Sequence, residues 1–205
     1  MWRTQQLTAH GPRLTLRYPQ TADARRLFEL ASNEEVTRYF SWGPYHQQGQ
    51  AAEWIATLRS HRMDGSALEF AIADSGDEPI GVIAILEVSR RDRRCVIGIW
   101  IGRPYWGSGA GDESEALLAH IAFGPLRMER LGAWVDVNNP RSQHAFARLG
   151  FVNEGVLRAF QRHGDERRDL VAYSLLREEW EGSAMAQVPV EITGEAPPKF
   201  VCAPR

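Results

Sequence analysis

Residues 96–118, VIGIWIGRPYWGSGAGDESEALL, decide how this chain is read. An apolar strand over residues 96–101 runs into a turn carrying Gly102, Gly107, Gly109 and Gly111. A helix opens next, with Asp112 and Glu113 in its first turn and Ala116, Leu117, Ile121 and Ala122 as its apolar positions. Strand, small-residue loop and helix N-terminus make an anion site. The loop N–H groups converge on one concavity, and the helix dipole adds positive potential there. Glycines keep Cβ atoms out of the path of a phosphate. Spacing excludes two familiar phosphate loops. A Walker loop ends in Gly-Lys-Ser/Thr, and this stretch has no lysine. A dinucleotide fingerprint needs an early βαβ unit, whereas this loop lies mid-chain, behind strands that read as antiparallel. A glycine-rich connection that binds nothing is the alternative.

At 205 residues the chain allows one domain plus a tail. The division expected is a domain over residues 1–181 and a proline-rich tail over 182–205. A hydrophobic content of 43% suffices for a core, and a net charge of −2 argues against a nucleic-acid partner. No apolar run reaches the length of a membrane span, and the N-terminal residues lack the apolar core of a secretory signal. Cys95 and Cys202 have no CxxC spacing, so free thiols and a cytoplasmic setting are expected. Seven tryptophans point to an aromatic core, pocket or interface.

Outward from the loop, residues 14–18 alternate as a strand, and Thr21 is placed to cap a helix bearing Leu27, Phe28, Leu30 and Ala31. Asn33 starts a second short helix that leads into the aromatic run Tyr39-Phe40-Ser41-Trp42-Gly43-Pro44-Tyr45. Residues 47–63 read as a helix with Ala51, Trp54, Ile55 and Leu58 along one side. Strands follow over 70–73 and 79–88, and the arginine-rich stretch 89–94 reads as a solvated hairpin tip. After the loop and its helix come a strand over 131–137 and a helix opened by Asn139 as cap and Pro140 at its first position. That helix ends at Gly150. Strands over 152–158 and 170–176 close the pattern. In the tail, Val188, Val190 and Ile192 make a one-sided stripe of period two. Pro189 confines such a strand to an edge, on this chain's own sheet or on a second copy, so a homodimer is one possibility.

The order Tyr105-Trp106-Gly107-Ser108-Gly109-Ala110-Gly111, followed by Glu113 and Ala116, resembles the acetyl-coenzyme A loop of the GNAT acyltransferases. That family's pattern is Arg/Gln-x-x-Gly-x-Gly/Ala. Gly109 and Gly111 match its small positions, and Trp106 stands in place of Arg/Gln. The resemblance covers residues 12–180 and is closest to the RimJ/RimL-type ribosomal-protein N-acetyltransferases. It is carried by Val36-Thr37-Arg38-Tyr39 with Trp42, by Asn139-Pro140-Arg141-Ser142, by Leu149-Gly150-Phe151 with Glu154-Gly155-Val156-Leu157-Arg158, and by residues 169–175. It implies an α/β (α+β) fold with a mixed, mostly antiparallel sheet of about seven strands, flanked by helices and splayed at the acetyl-CoA site.

The resemblance implies transfer of acetyl from acetyl-CoA to an amine, with no metal. Ile99, Trp100 and Ile101 would offer backbone N–H groups, freed by a bulge, to the thioester arm. Trp106, Gly107, Ser108, Gly109, Ala110 and Gly111 would hold the diphosphate, with Asn139, Ser142 and Phe146 also at the cofactor. Many GNAT enzymes have a tyrosine where Phe146 stands; the RimL-like arrangement uses a serine three residues after the cap asparagine, which is Ser142. Ser142 and Asn139 are therefore the expected catalytic pair. The RimL-like position for a base holds Gln161, which cannot take a proton. Glu69, Glu87, Asp136 and Asp165 read as surface or hairpin carboxylates. Tyr39, Trp42 and Tyr45 are the expected acceptor-binding residues. The acceptor implied is the N-terminal α-amine of a protein or peptide. Alternatives are a small-molecule amine, or a non-catalytic acyl-CoA-binding domain.

Overall fold

A computed structural model of the chain describes residues 6–204. Strands β1 (Thr8–His10) and β2 (Thr15–Arg17) lead to helix α1 (Ala24–Ala31), the single turn α2 (Glu34–Thr37) and α3 (Gly49–Asp64). Three strands follow: β3 (Ala67–Ala73), β4 (Pro79–Ser89) and β5 (Arg94–Ile101). Then come α4 (Ala110–Phe123), β6 (Arg130–Asp136), α5 (Pro140–Arg148), β7 (Val152–His163), β8 (Glu166–Leu176), α6 (Arg177–Glu181) and β9 (Glu191–Thr193). The sheet has nine strands rather than about seven, in the order β7-β8-β6-β5-β4-β3-β2-β1-β9. The extra count comes from β1, three residues and too short to stand out by periodicity, and from β9, the edge strand expected in the tail, which is confined to three residues.

Every neighbouring pair is antiparallel except β5 and β6. That exception positions the site. Strands β5 and β6 pair only from Arg94 with Arg130 to Ile97 with Ala133. Beyond Ile97, β5 stays with β4 as far as Ile101, while β6 stays with β8 as far as Asp136. The sheet therefore opens between them. The expected bulge is elsewhere, in β4 between Leu86 and Ser89, where Glu87 has φ 49°. The edge of β5 facing the opening is freed by strand divergence and not by a bulge.

Helix α4 lies behind the sheet, with Leu117, Leu118, Ile121 and Phe123 fully enclosed against Ile83, Ile85 and Ile97. Its first turn is tied to the β1–β2 hairpin by one carboxylate. Glu113 Oε1 accepts from the backbone N–H groups of Arg13 (2.8 Å) and Leu14 (2.9 Å), and its Oε2 accepts from Arg13 Nε (2.8 Å).

Several local expectations are corrected. Thr21 makes no capping bond; the Asp23 carboxylate accepts from Gln20 N–H instead, ahead of a 3-10 turn. Asn33 does cap α2, accepting from Glu35 N–H. The hairpin tip is not merely solvated, because Arg90 donates to the Val201 carbonyl and Arg93 to that of Ala203. Glu69 is buried at 5% exposure and paired with His61 at 2.7 Å.

The tail packs on its own chain. Strand β9 pairs with β1 at the sheet edge, and Val188, Val190 and Ile192 lie against the core. Phe200 is fully enclosed, and both free cysteines are buried, which pushes the Cys95 thiol up to about 12. Phe200→Ala should therefore cost about 3 kcal/mol and lower the thermal midpoint by roughly 6–12 °C. A melt within about 1 °C of wild type would show that the tail contributes no stability. Among the described residues, no helix is long and apolar enough to cross a membrane.

Candidate active site

The opening between β5 and β6 continues into a cavity of about 590 Å³, within the usual range for a small-molecule site. Its floor is residues 97–101 of β5, its far wall Trp134, Val135 and Asp136 of β6, and its roof α5. One end is the glycine loop, and the other holds Tyr39, Phe40 and Gln161.

At the loop end, Gly107 and Gly109 have φ of 75° and 82°, values that favour glycine. A Cβ on Gly107 would meet nothing within 4 Å, so the loop leaves a hollow. Gly109 is the N-cap residue of α4, whose first N–H groups have no intrahelical partner. Arg13 donates to the Ser108 carbonyl at 3.0 Å and brings a guanidinium beside Gly109. Ala110 N–H already donates to the Ser108 hydroxyl at 3.3 Å, so the open glycines, the remaining helix-start amides and the adjacent cation are what suit a diphosphate.

Of the residues expected at a cofactor, Ile99, Trp100, Ile101, Trp106, Gly107, Gly109, Ala110, Gly111, Asn139, Ser142 and Phe146 line the cavity. Ser108 does not; its hydroxyl donates to the Tyr105 carbonyl at 2.7 Å and staples the loop. Of the expected acceptor residues, Tyr39 lines the cavity. Trp42 and Tyr45 stand behind it, with Trp42 edge-on to Trp100 at 5.8 Å and packed on Tyr45 at 5.5 Å. They support the floor.

Asn139 accepts from Ser142 N–H at 3.2 Å, which fixes the first turn of α5. The Ser142 hydroxyl has no hydrogen-bond partner among the described residues, and it sits at the positive end of that helix. Phe146 is buried between Phe151 (4.9 Å) and Tyr173 (5.9 Å) and carries no proton.

Three lining residues escape a sequence reading. Arg141 stacks over the Trp106 ring at 3.3 Å, with Arg103 at 4.7 Å from the same ring. Trp106 is itself anchored by donating to the Ile101 carbonyl at 2.7 Å. Arg141 makes no ion pair among the described residues; burial and the nearby Arg103 push its guanidinium down from its usual range. The position thus regains beside the loop a cation that tryptophan does not carry. Asp136, expected at the surface, is 4% exposed. Its Oδ1 accepts from Asn138 N–H at 2.8 Å, and its Oδ2 lies 3.5 Å from Arg168. Glu115 is enclosed on α4. For these three the only signal in sequence was residue type; their placement follows from strand divergence and from the reach of α5.

A family model described as "Acetyltransferase (GNAT) domain" matches residues 13–152. The chain is 31% identical over 176 residues to the N-acetyltransferase p20 of Bacillus licheniformis, covering 85% of this chain and 99% of that one. It is 30% identical to the [ribosomal protein uS5]-alanine N-acetyltransferase of Escherichia coli, over 82% of this chain and 90% of that one. It is 28% identical to the spermidine N(1)-acetyltransferase of Escherichia coli, over 73% and 77%. A crystal structure described as an acetyltransferase from T. thermophilus superposes with a TM-score of 0.75 at 32% identity, over 89% of this chain and 95% of that one. The chain belongs to the GNAT acetyltransferase family and is an acetyl-CoA-dependent N-acetyltransferase.

Proposed function

We propose that the amine acetylated is the α-amine at the N-terminus of a protein or peptide. The observation that carries this reading is the charge at the acceptor end. Asp136 is the lining carboxylate on β6, the other two, Asp112 and Glu115, being on α4, and Arg168 already faces it while donating to the Arg38 carbonyl at 2.9 Å. One carboxylate shared with a guanidinium suits a single amine followed by peptide carbonyls. It does not suit a polycation, which needs several unshared carboxylates. Relatives of both kinds exist, one acting on ribosomal protein uS5 and one on spermidine.

Proton accounting favours the same acceptor. An α-amine has a pKa near 8, so roughly 10% is neutral at pH 7, against roughly a thousandth or less for lysine near 10.4. With glutamine at 161, an acceptor that is already partly neutral asks least of the site. Asp136 would hold the incoming ammonium and receive or relay its proton.

Acetyl-CoA supplies the thioester. The β5 edge would receive its arm along Ile99, Trp100 and Ile101, and the loop with Arg13 and Arg141 would receive its diphosphate. As the thioester C–S bond breaks, the Ser142 hydroxyl at the helix terminus would pass a proton to the departing thiolate and regain one from solvent. Ser142→Ala should lower kcat by roughly 10²-fold, the scale of lost acid catalysis, with acetyl-CoA affinity little changed. A loss under about threefold would leave Ser142 as a helix-start residue only.

A further inference from the structure

Glu115 is a buried carboxyl with no part in holding the acceptor amine or the thiolate. It lies one helical turn beyond Gly111 of the loop and belongs to the cavity wall, together with Ala145 and Arg148 of α5. It is 3% exposed, and its Oε2 is enclosed without any hydrogen-bond partner. The charged groups acting on it are few. Asp112 on its own helix repels it, and Arg148 from α5 attracts it. Arg148, however, is committed to Asp112 at 2.6 Å. The strands behind α4 present apolar side chains, and Arg13 from the β1–β2 hairpin is held by Glu113. A buried carboxylate with no partner of its own is far costlier than the neutral acid. Burial, reinforced by Asp112, pushes this carboxyl up to about 8. A neutral carboxylic acid carries one O–H donor, and here that donor finds no acceptor among the described residues.

We propose that Glu115 is an uncharged hydrogen-bond donor in the wall of the co-substrate cavity, directed to an acceptor oxygen of the diphosphate-bearing arm. This rests on the reading of the cavity as the acetyl-CoA site. It makes Glu115 a positioning residue whose ionised form opposes binding, because a carboxylate next to the anion loop repels phosphate. Binding is then favoured below about pH 8 and lost as Glu115 ionises above it.

The test is the dissociation constant for coenzyme A, measured by calorimetry at pH 7 and pH 9. The expected result for the wild type is a rise of about tenfold, as the neutral fraction falls to roughly a tenth. Glu115→Gln keeps a neutral N–H donor and cannot ionise, so its constant should change less than about twofold over the same range. The ligand's own titration is common to both proteins. Parallel profiles in the two proteins would overturn the proposal, as would an equal loss of affinity at both pH values in the variant. Should Glu115→Gln fail to fold, Glu115→Met carries the same slope comparison. A wild type that binds no coenzyme A at pH 7 would overturn the reading of the cavity itself. Binding with parallel profiles would overturn only the role of Glu115.

Discussion

Gly109→Asp is expected to weaken acetyl-CoA binding by at least about a hundredfold, which is about 2.7 kcal/mol. Gly109 has φ of 82° and caps α4 where the anion loop closes. A side chain there has two places to go. Into the hollow, its carboxylate would stand beside the diphosphate, and two unit charges 4 Å apart repel by about 4 kcal/mol at the effective dielectric of a protein surface. Toward Arg13, whose Nη2 would lie 3.2 Å from the new Cβ, it would neutralise the cation over the loop. Both outcomes remove positive potential from the same point. Calorimetry with acetyl-CoA checks this, with circular dichroism to establish that the variant is folded. Unchanged affinity in a folded variant would mean that the loop holds no phosphate.

The largest loss of stability is expected for Glu113→Ala. This side chain, 7% exposed, accepts two backbone N–H bonds and one guanidinium bond from the β1–β2 hairpin. Removing it orphans the amides of Arg13 and Leu14, at about 1–3 kcal/mol each, and a charge-assisted bond besides. The total is about 5 kcal/mol, or roughly 10–20 °C in thermal midpoint for a chain of this size. Glu113→Gln keeps an acceptor and should lose less than half of that. If Glu113→Ala melts within about 3 °C of wild type, the carboxylate does not clamp hairpin to helix. Because Arg13 also flanks the loop, the same variant should weaken acetyl-CoA binding.

The anion loop was legible in sequence because it is local. Glycine spacing, an apolar strand before it and acidic residues after it all fall within 23 consecutive positions. The Asn139 cap and the phenylalanine at 146 were legible for the same reason. What sequence could not supply was burial set by tertiary contact. Asp136 ends a strand like many surface aspartates, and only the parting of β5 from β6 turns it into the cavity. Glu115 occupies a helix position indistinguishable in sequence from a solvated one. Trp106 read as a loss of charge, since the guanidinium restored above its ring comes from Arg141, 35 positions later on another helix. In the tail, alternation at Val188, Val190 and Ile192 marked a strand, but short strands carry no information about which edge they join.

Acetyl transfer from acetyl-CoA to a peptide α-amine is read out as thiol release. The chain would be incubated with acetyl-CoA and, in separate reactions, a peptide with a free N-terminus, the same peptide blocked at its N-terminus, a peptide whose lone free amine is a lysine, and spermidine. Coenzyme A release is expected with the free N-terminus and none above background with the other three. Release with spermidine or with the lysine peptide, and none with any free N-terminus, would contradict it.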